Sequence, residues 1–244
     1  MVAEDISFVE VRKRFGFRSI RVGRWVTREE QAKAAILFHQ ALLDLMAILQ
    51  GPESLISLRG TLSLQYGIGG RLGVSAHYSP LERCFSLAKN AGAGSVAHEW
   101  FHALDHYLGQ QAFNDLPSTH FASRAWLEDL PMRKHALNQC LGECFRAILL
   151  DESDQGSSQQ MQASIKMDNA LGQLYYSLPE EVCARAFEAF IQDAFVGNRF
   201  LVSGTQMTQE AQLGLYPQGE QRQRIHQAFV QYFTLLGAFL NSGC

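Results

Sequence analysis

The stretch Gly92-Ala93-Gly94-Ser95-Val96-Ala97-His98-Glu99-Trp100-Phe101-His102-Ala103-Leu104-Asp105-His106-Tyr107-Leu108-Gly109 decides how the rest of the chain is read. It sets His-Glu-x-x-His between a glycine-rich entry and a glycine exit. On a helix, residues four apart share a face, so His98 and His102 can hold one metal ion. Glu99 stands beside them, where it can take a proton from water that the metal activates. At about 100° per residue, Asp105, His98, Gly109, His102, Ser95, His106 and Glu99 fall in one sector. Ala103, Val96, Tyr107, Trp100, Leu104, Ala97, Leu108 and Phe101 fill the rest. No Lys or Arg stands on the polar strip, as it would on a solvated surface helix. The pattern predicts a mostly buried helix whose one polar strip carries metal ligands; a pair of hydrogen-bonded core histidines is the weaker alternative.

Around this helix the chain has 244 residues, 47% of them hydrophobic and 18% charged, with 16 Phe and a net charge of −3. That is enough chain for a substantial core, read as one domain over residues 1–244. The charge gives no global attraction to nucleic acid or to an anionic membrane. Five cysteines (Cys84, Cys140, Cys144, Cys183, Cys244) have no zinc-finger spacing and read as packing residues. The N-terminus lacks the basic and apolar regions of a secretory signal, and no apolar run approaches the ~18 residues of a membrane span. A cytoplasmic location is expected, with no membrane partner.

Residues 6–26 read as extended structure. Arg12, Lys13, Arg14, Arg18, Arg21 and Arg24 form a basic cluster among aromatics, which suggests a nucleic-acid patch. In a chain acidic overall, alternating strand residues with arginines paired to nearby acids are the favoured reading. Thr27-Arg28-Glu29-Glu30 is a capping box opening an amphipathic helix to about Gln50, stopped by Gly51-Pro52. Residues 56–90 switch to strand period, with a glycine-rich turn at Gly67–Gly73 read as an edge hairpin beside a cleft. His39 on the first helix reads as structural. After the histidine helix, which should end near Gly109, helices are expected at about 132–150 and 161–176, with residues 151–160 an exposed, mobile loop. A last amphipathic helix over about 219–241 closes the core through Ile225, Phe229, Phe233, Leu236 and Leu240.

A zinc site with two histidines takes a third protein ligand, and a glutamate is a standard choice. Ser177-Leu178-Pro179-Glu180 is a second capping box with proline in the first turn. On the helix that follows, Glu181, Arg185, Glu188 and Gln192 share one polar strip. Glu181 is preferred because the cap uses Glu180; Glu188 is the runner-up. Arg185 between them is placed to hold the ligand carboxylate.

A helix, a small sheet with a glycine-rich edge hairpin, the His-Glu-x-x-His helix and a later helix offering Glu together look like the zincin metallopeptidase arrangement. More specifically, the chain resembles the bacterial CLCA_X family and the related large polyvalent-protein-associated domains of phages and mobile elements. The stretches that carry the resemblance are Gly23-Arg24-Trp25-Val26-Thr27, the block from Arg59-Gly60-Thr61-Leu62 to Ala76-His77-Tyr78, Ala88-Lys89-Asn90 through Tyr107-Leu108, and Tyr175-Tyr176-Ser177-Leu178-Pro179-Glu180-Glu181 through Phe190, spanning roughly residues 15–205. Glu181-Val182-Cys183-Ala184-Arg185-Ala186-Phe187 is also similar to the third-ligand helix of anthrax-lethal-factor-like peptidases, in which the first Glu binds zinc. That likeness implies Glu181 over Glu188, across a gap from His102 longer than in better-known peptidases.

The resemblance implies an α+β, zincin-like fold with a small mixed sheet packed on long helices. The expected function is zinc-dependent hydrolysis of a peptide or protein substrate. His98, His102 and Glu181 would hold Zn²⁺ in the manner of gluzincins, with Glu99 as general base. Asp105 is expected to orient a ligand histidine or cap the helix. His77, Tyr175, Tyr176, Tyr107 and His106 are candidate transition-state donors. The alternative is a module in which zinc holds the fold, or does no chemistry, while the basic residues 12–24 contact DNA or a protein.

Overall fold

The computed structural model describes residues 6–68, 76–89, 94–194 and 197–242. In chain order the elements are α1 (Phe8–Phe15), β1 (Ser19–Val22), α2 (Arg28–Leu49), α3 (Glu53–Ile56), β2 (Ser63–Tyr66), β3 (Ala76–Ser79), β4 (Cys84–Leu87), α4 (Ser95–Ala112), α5 (Ala122–Leu127), α6 (Ala136–Leu149), α7 (Gln159–Leu171), α8 (Pro179–Ala194), α9 (Gln209–Gln212) and α10 (Gly219–Asn241). The architecture is mixed α+β: a four-stranded sheet of order β1-β2-β4-β3 packed against helices. β1, β2 and β4 run parallel, and β3 is antiparallel to β4. The two central strands are buried at every position, as strands covered on both faces must be.

Residues 6–26 are not a run of strand. Ser7 caps α1 with a full capping box to Glu10, and Gly16 closes the helix in the left-handed region at φ 72°. Val11 and Phe15 of α1 are buried while Arg12, Lys13 and Arg14 are exposed. Only Ser19–Val22 is extended. The spacing of Phe8, Val9, Val11 and Phe15 suits a strand as well as a helix, and the Ser7-x-x-Glu10 cap decides for the helix. The capping box at Thr27 is present, with Glu30 accepting from the Thr27 amide at 2.9 Å.

The glycine-rich segment does not make the expected hairpin. It connects β2 to β3, which are not neighbours; the hairpin is β3–β4, and its turn carries no glycine. Positions 69–75 lie outside the described residues.

α2 is long and apolar enough to cross a membrane by length and composition, with a mean hydropathy of 1.5 over its best window. The helix carries no uninterrupted apolar run, because His39-Gln40 and Asp44 break it. Ala34, Ala35, Phe38, Ala41, Leu42, Leu45 and Leu49 of this helix are buried in the core. Phe38 packs edge-on against Tyr66 of β2 and Phe200, with ring centroids 5.9 and 5.1 Å apart.

The second half of the core forms around Phe187 of α8. Its ring stacks on Phe101 at 4.9 Å and meets Trp100, Phe190, Phe229 and Phe233 within 6.0 Å. α4 and α8, the two helices whose polar strips carry the candidate ligands, are therefore locked together by aromatic packing. Trp100 also donates its indole N–H to the Ile56 carbonyl at 2.9 Å. α7 ends at Leu171, five residues before the expected point, with Gly172 as its left-handed cap at φ 63°. Residues 152–155 form an exposed turn in which Asp151 Oδ1 accepts from the Ser153 amide and hydroxyl, but the expected loop ends early: Ser158 is buried as the cap of α7 and Gln159 and Gln160 are helical.

Candidate metal centre

α4 starts where the sequence places it and runs three residues beyond Gly109. A Cβ at Gly109 would meet the His120 carbonyl at 2.7 Å, so this glycine admits the loop before α5 against the helix instead of ending it. At the other end, Gly94 adopts φ 102° and leaves no room for a Cβ against Ser203. The chain at 200–203 packs there, and the Ala97 amide donates to the Leu201 carbonyl at 3.0 Å, which satisfies one orphan donor of the helix start.

His98, His102 and Glu181 come together. The two Nε2 atoms are 3.0 Å apart, and Glu181 lies 3.5 Å from His98 and 3.3 Å from His102. One donor atom from each residue lies within 4.8 Å of the other two. Tetrahedral ligands about 2.0–2.1 Å from a zinc ion stand roughly 3.4 Å from one another. The donor set therefore fits such an ion in chemistry and in spacing. His98 Nδ1 faces Glu188 Oε1 at 2.6 Å. With that nitrogen donating to the carboxylate, Nε2 keeps its lone pair for the centre. Glu188 thus contacts His98 on the side away from the three grouped donors; its other oxygen accepts from the Tyr216 hydroxyl at 3.2 Å.

Glu99 is 6% exposed, and its Oε2 has no hydrogen-bond partner among the described residues. Burial pushes its pKa up, with His98 and His102 opposing. Burial also disfavours the charged form of Glu181, but the two histidines hold its pKa well below the usual carboxylate range. Arg185 is buried and donates to Glu181 Oε2 at 3.3 Å and to the Tyr176 carbonyl at 3.2 Å. Its guanidinium lies over the Tyr175 and Tyr176 rings, 5.5 and 4.9 Å from their centroids. Tyr175 has a raised pKa, from burial first and then from Glu181 beside it.

The expected capping box at Ser177 is not formed in the way the sequence suggested. The Ser177 hydroxyl donates to Asp168 Oδ2 at 2.6 Å, and Glu180 binds Arg124 of α5 at 2.5 Å. Pro179 does sit at the first helical position. Glu180 is still occupied elsewhere and Glu181 still turns to the histidines, for a different reason from the one read in the sequence. Asp168 also accepts from the amides of Tyr175, Tyr176 and Ser177 at 2.8–3.1 Å, so it fixes the loop that presents both tyrosines.

Asp105 neither orients a ligand histidine nor caps the helix. It is fully buried, accepts from the Ser123 amide at 2.8 Å and hydroxyl at 2.6 Å, and so anchors the start of α5. Burial raises its pKa to about 6 against those two bonds. His102 Nδ1 has no partner among the described residues. His106 is used on both sides, by the Tyr78 hydroxyl at 2.8 Å and the Ser118 carbonyl at 2.7 Å. Tyr107 and His106 line a separate small cavity with Arg83, away from the three donors.

The donors open into a cleft of about 950 Å³ whose lining includes His77, Tyr175, Tyr176, Glu210 and Tyr216. Edge strand β3 contributes Ala76, His77 and Tyr78 to its wall. The sequence marks Glu188 as the second candidate carboxylate, and the structure places it on His98 Nδ1; Tyr216 and Asp168 carry no signal in the sequence. Position i+7 from Glu181 put Glu188 on the right strip; nothing local marked the other two.

A comparison with protein families matches residues 167–240 to large polyvalent protein-associated domain 1. That span covers the end of α7, the tyrosine loop, Glu181, Arg185, Glu188 and most of α10; it begins after α4 and does not include the two histidines. No curated protein and no solved structure matches the chain.

Proposed function

We propose that the chain is a zinc-dependent metallopeptidase of the zincin type, with His98, His102 and Glu181 as the metal's protein ligands. The observation that supports this most is the meeting of those three donors beside the buried, unpartnered Glu99 oxygen. In such a site zinc supplies a Lewis acid that lowers the pKa of water and polarises a carbonyl. Glu99 takes the proton from the attacking water and returns it to the leaving amine, from a buried position beside the two histidines. Arg185 and Glu188 hold Glu181 and His98 in place. Tyr175 and His77 line the cleft as candidate donors to the developing oxyanion.

A peptide substrate is supported by the shape of the site. An extended chain can pair with the outer edge of β3, which no strand among the described residues occupies and whose residues 76–78 line the cleft wall. The cleft volume lies at the upper end of the roughly 300–1,000 Å³ usual for ligand sites.

The test is elemental analysis of the purified protein together with a screen of peptide and protein substrates, repeated on Glu99→Gln. Stoichiometric zinc in both forms, with hydrolysis reduced by about 10²–10⁴-fold in the variant, is expected. Unchanged turnover in Glu99→Gln would sink the mechanism, and absence of metal would sink the site.

A further inference from the structure

The span from Arg12 to Arg28 contains Arg12, Lys13, Arg14, Arg18, Arg21, Arg24 and Arg28, seven of the chain's 21 basic residues, and no acid. All seven are exposed. The sequence suggested that neighbouring acids neutralise them, and the structure removes that explanation. Among the described residues one carboxylate comes within ion-pair distance of this group: Glu82, 3.7 Å from Arg21, with both side chains about 60% exposed. The nearby acids Glu29 and Glu30 are engaged by Lys33 and Lys89 instead.

Some of these arginines are nevertheless held in place. The Arg12 guanidinium donates to the Phe17 and Arg18 carbonyls at 3.3 Å. Arg18 donates to Ser63 Oγ at 2.9 Å and to the Glu82 carbonyl. Neutral acceptors fix the guanidinium groups without cancelling their charge. The result is a positively charged rim at edge strand β1 and the turns on either side of it, on a chain whose net charge is −3.

Trp25 stands in the turn at the far end of β1. It is 74% exposed, yet its indole N–H is tied to the Gly67 carbonyl. A Cβ at Gly23 would collide with that carbonyl and with the indole nitrogen, so a glycine is what allows the ring to be seated there. A large aromatic ring held by its edge and left open is a stacking platform.

We propose that this rim binds single-stranded nucleic acid, with the arginines on the phosphates and Trp25 under a base. Arg dominates over Lys by six to one in the cluster, as phosphate and base-plane contacts favour. A membrane surface fits less well, because Val11 and Phe15 of α1 are buried, Phe8 packs on Phe38 and Tyr66, and Val9 alone is too little apolar surface on that helix to hold a bilayer. The surface is formed by α1, β1 and the turn before α2, and does not depend on the metal centre.

The experiment is fluorescence anisotropy of a labelled 20-nucleotide oligothymidylate with the full chain at 50–300 mM salt, with and without zinc. Binding should weaken steeply with salt, with a log–log slope of about −0.7 for each phosphate contacted. Lys13→Glu/Arg21→Glu/Arg24→Glu should reduce affinity at least tenfold. Trp25→Ala should reduce it about fivefold or more with the salt slope unchanged. The milder Arg21→Gln/Arg24→Gln should show an intermediate loss, and thermal melts verify that each variant is folded. No binding at 50 mM salt, or affinity unaltered by charge reversal in folded protein, overturns the proposal. So does binding to phosphatidylserine vesicles without binding to the oligonucleotide.

Discussion

Glu188 Oε1 lies 2.6 Å from Nδ1 of His98, on the side of the ring opposite the atom that faces His102 and Glu181. The carboxylate is buried, and Tyr216 steadies its second oxygen. A histidine held in this way has its ring angle set before any metal arrives, and Glu188 keeps the proton on Nδ1 when Nε2 gives up its own. Glu188→Gln should therefore keep the fold and the ligand set and weaken zinc binding by about 10–100-fold. Tyr216→Phe should produce a smaller loss in the same direction. Competition against a chromophoric chelator measures both, and zinc affinity equal to wild type in Glu188→Gln would remove Glu188 from the site.

Glu181 and Glu188 are both buried carboxylates on α8, but only Glu181 meets both histidine Nε2 atoms. Glu181→Gln should lose metal far more completely than Glu188→Gln, leaving substoichiometric zinc after dialysis. Elemental analysis of the two variants side by side settles which carboxylate is the ligand. Retention of full zinc in Glu181→Gln, with loss in Glu188→Gln, would reverse the assignment.

In the metal-free protein, burial disfavours a charged His98, but Glu188, Glu181 and Glu99 outweigh it and raise its pKa from 6.5 to about 10. A raised folded-state pKa means that the native protein holds this proton more tightly than the unfolded chain. The associated stability is fully present below about pH 6.5 and is lost as pH rises through about 10. Thermal melts in chelator should show Tm falling across that window, with a shallower fall in Glu188→Gln. Zinc must displace the same proton, so its affinity should rise with pH over the same range. A metal-free Tm that slopes identically in wild type and Glu188→Gln would contradict the role given to this pair.

The histidine helix and Glu181 were legible because a helix imposes its period on every residue: i,i+4 spacing places His98 and His102 together without knowledge of the fold. Capping at Thr27, the stop at Gly51-Pro52 and the extent of α10 followed from equally local rules. The sheet was not legible in the same way. β2 pairs with β4 and leaves β3 at the edge, a non-sequential order that the alternation within these four-residue strands does not encode. α1 was hidden because Phe8, Val9, Val11 and Phe15 suit strand and helix alike, and only the Ser7–Glu10 cap separates the two. Asp105 illustrates the limit at the site. Its place on the polar strip was readable, but its partner Ser123 comes from another helix and could not be read from the strip.

Asp168 carries the loop between α7 and α8. Its carboxylate accepts from three consecutive backbone amides, at Tyr175, Tyr176 and Ser177, and from the Ser177 hydroxyl. Burial works against its charge, but these donors more than compensate, and its pKa is lowered. That stability is present above the ordinary aspartate pKa of 3.8 and is lost as pH falls through the lower folded value, so it is intact at neutral pH. Asp168→Ala leaves four donors without their acceptor and should cost about 3 kcal/mol, or a Tm lowered by roughly 6–12 °C in a chain of this size. Asp168→Asn keeps an acceptor oxygen but has no charge and presents an amide to the donors, so it should fall between. Released from Asp168, Tyr175 and Tyr176 no longer hold their rings against Arg185, which donates to Glu181. The expected signature is a weaker zinc affinity in folded Asp168→Asn, measured well below its Tm. A large drop in Tm with zinc affinity unaltered would mean that the loop braces the fold but not the metal centre.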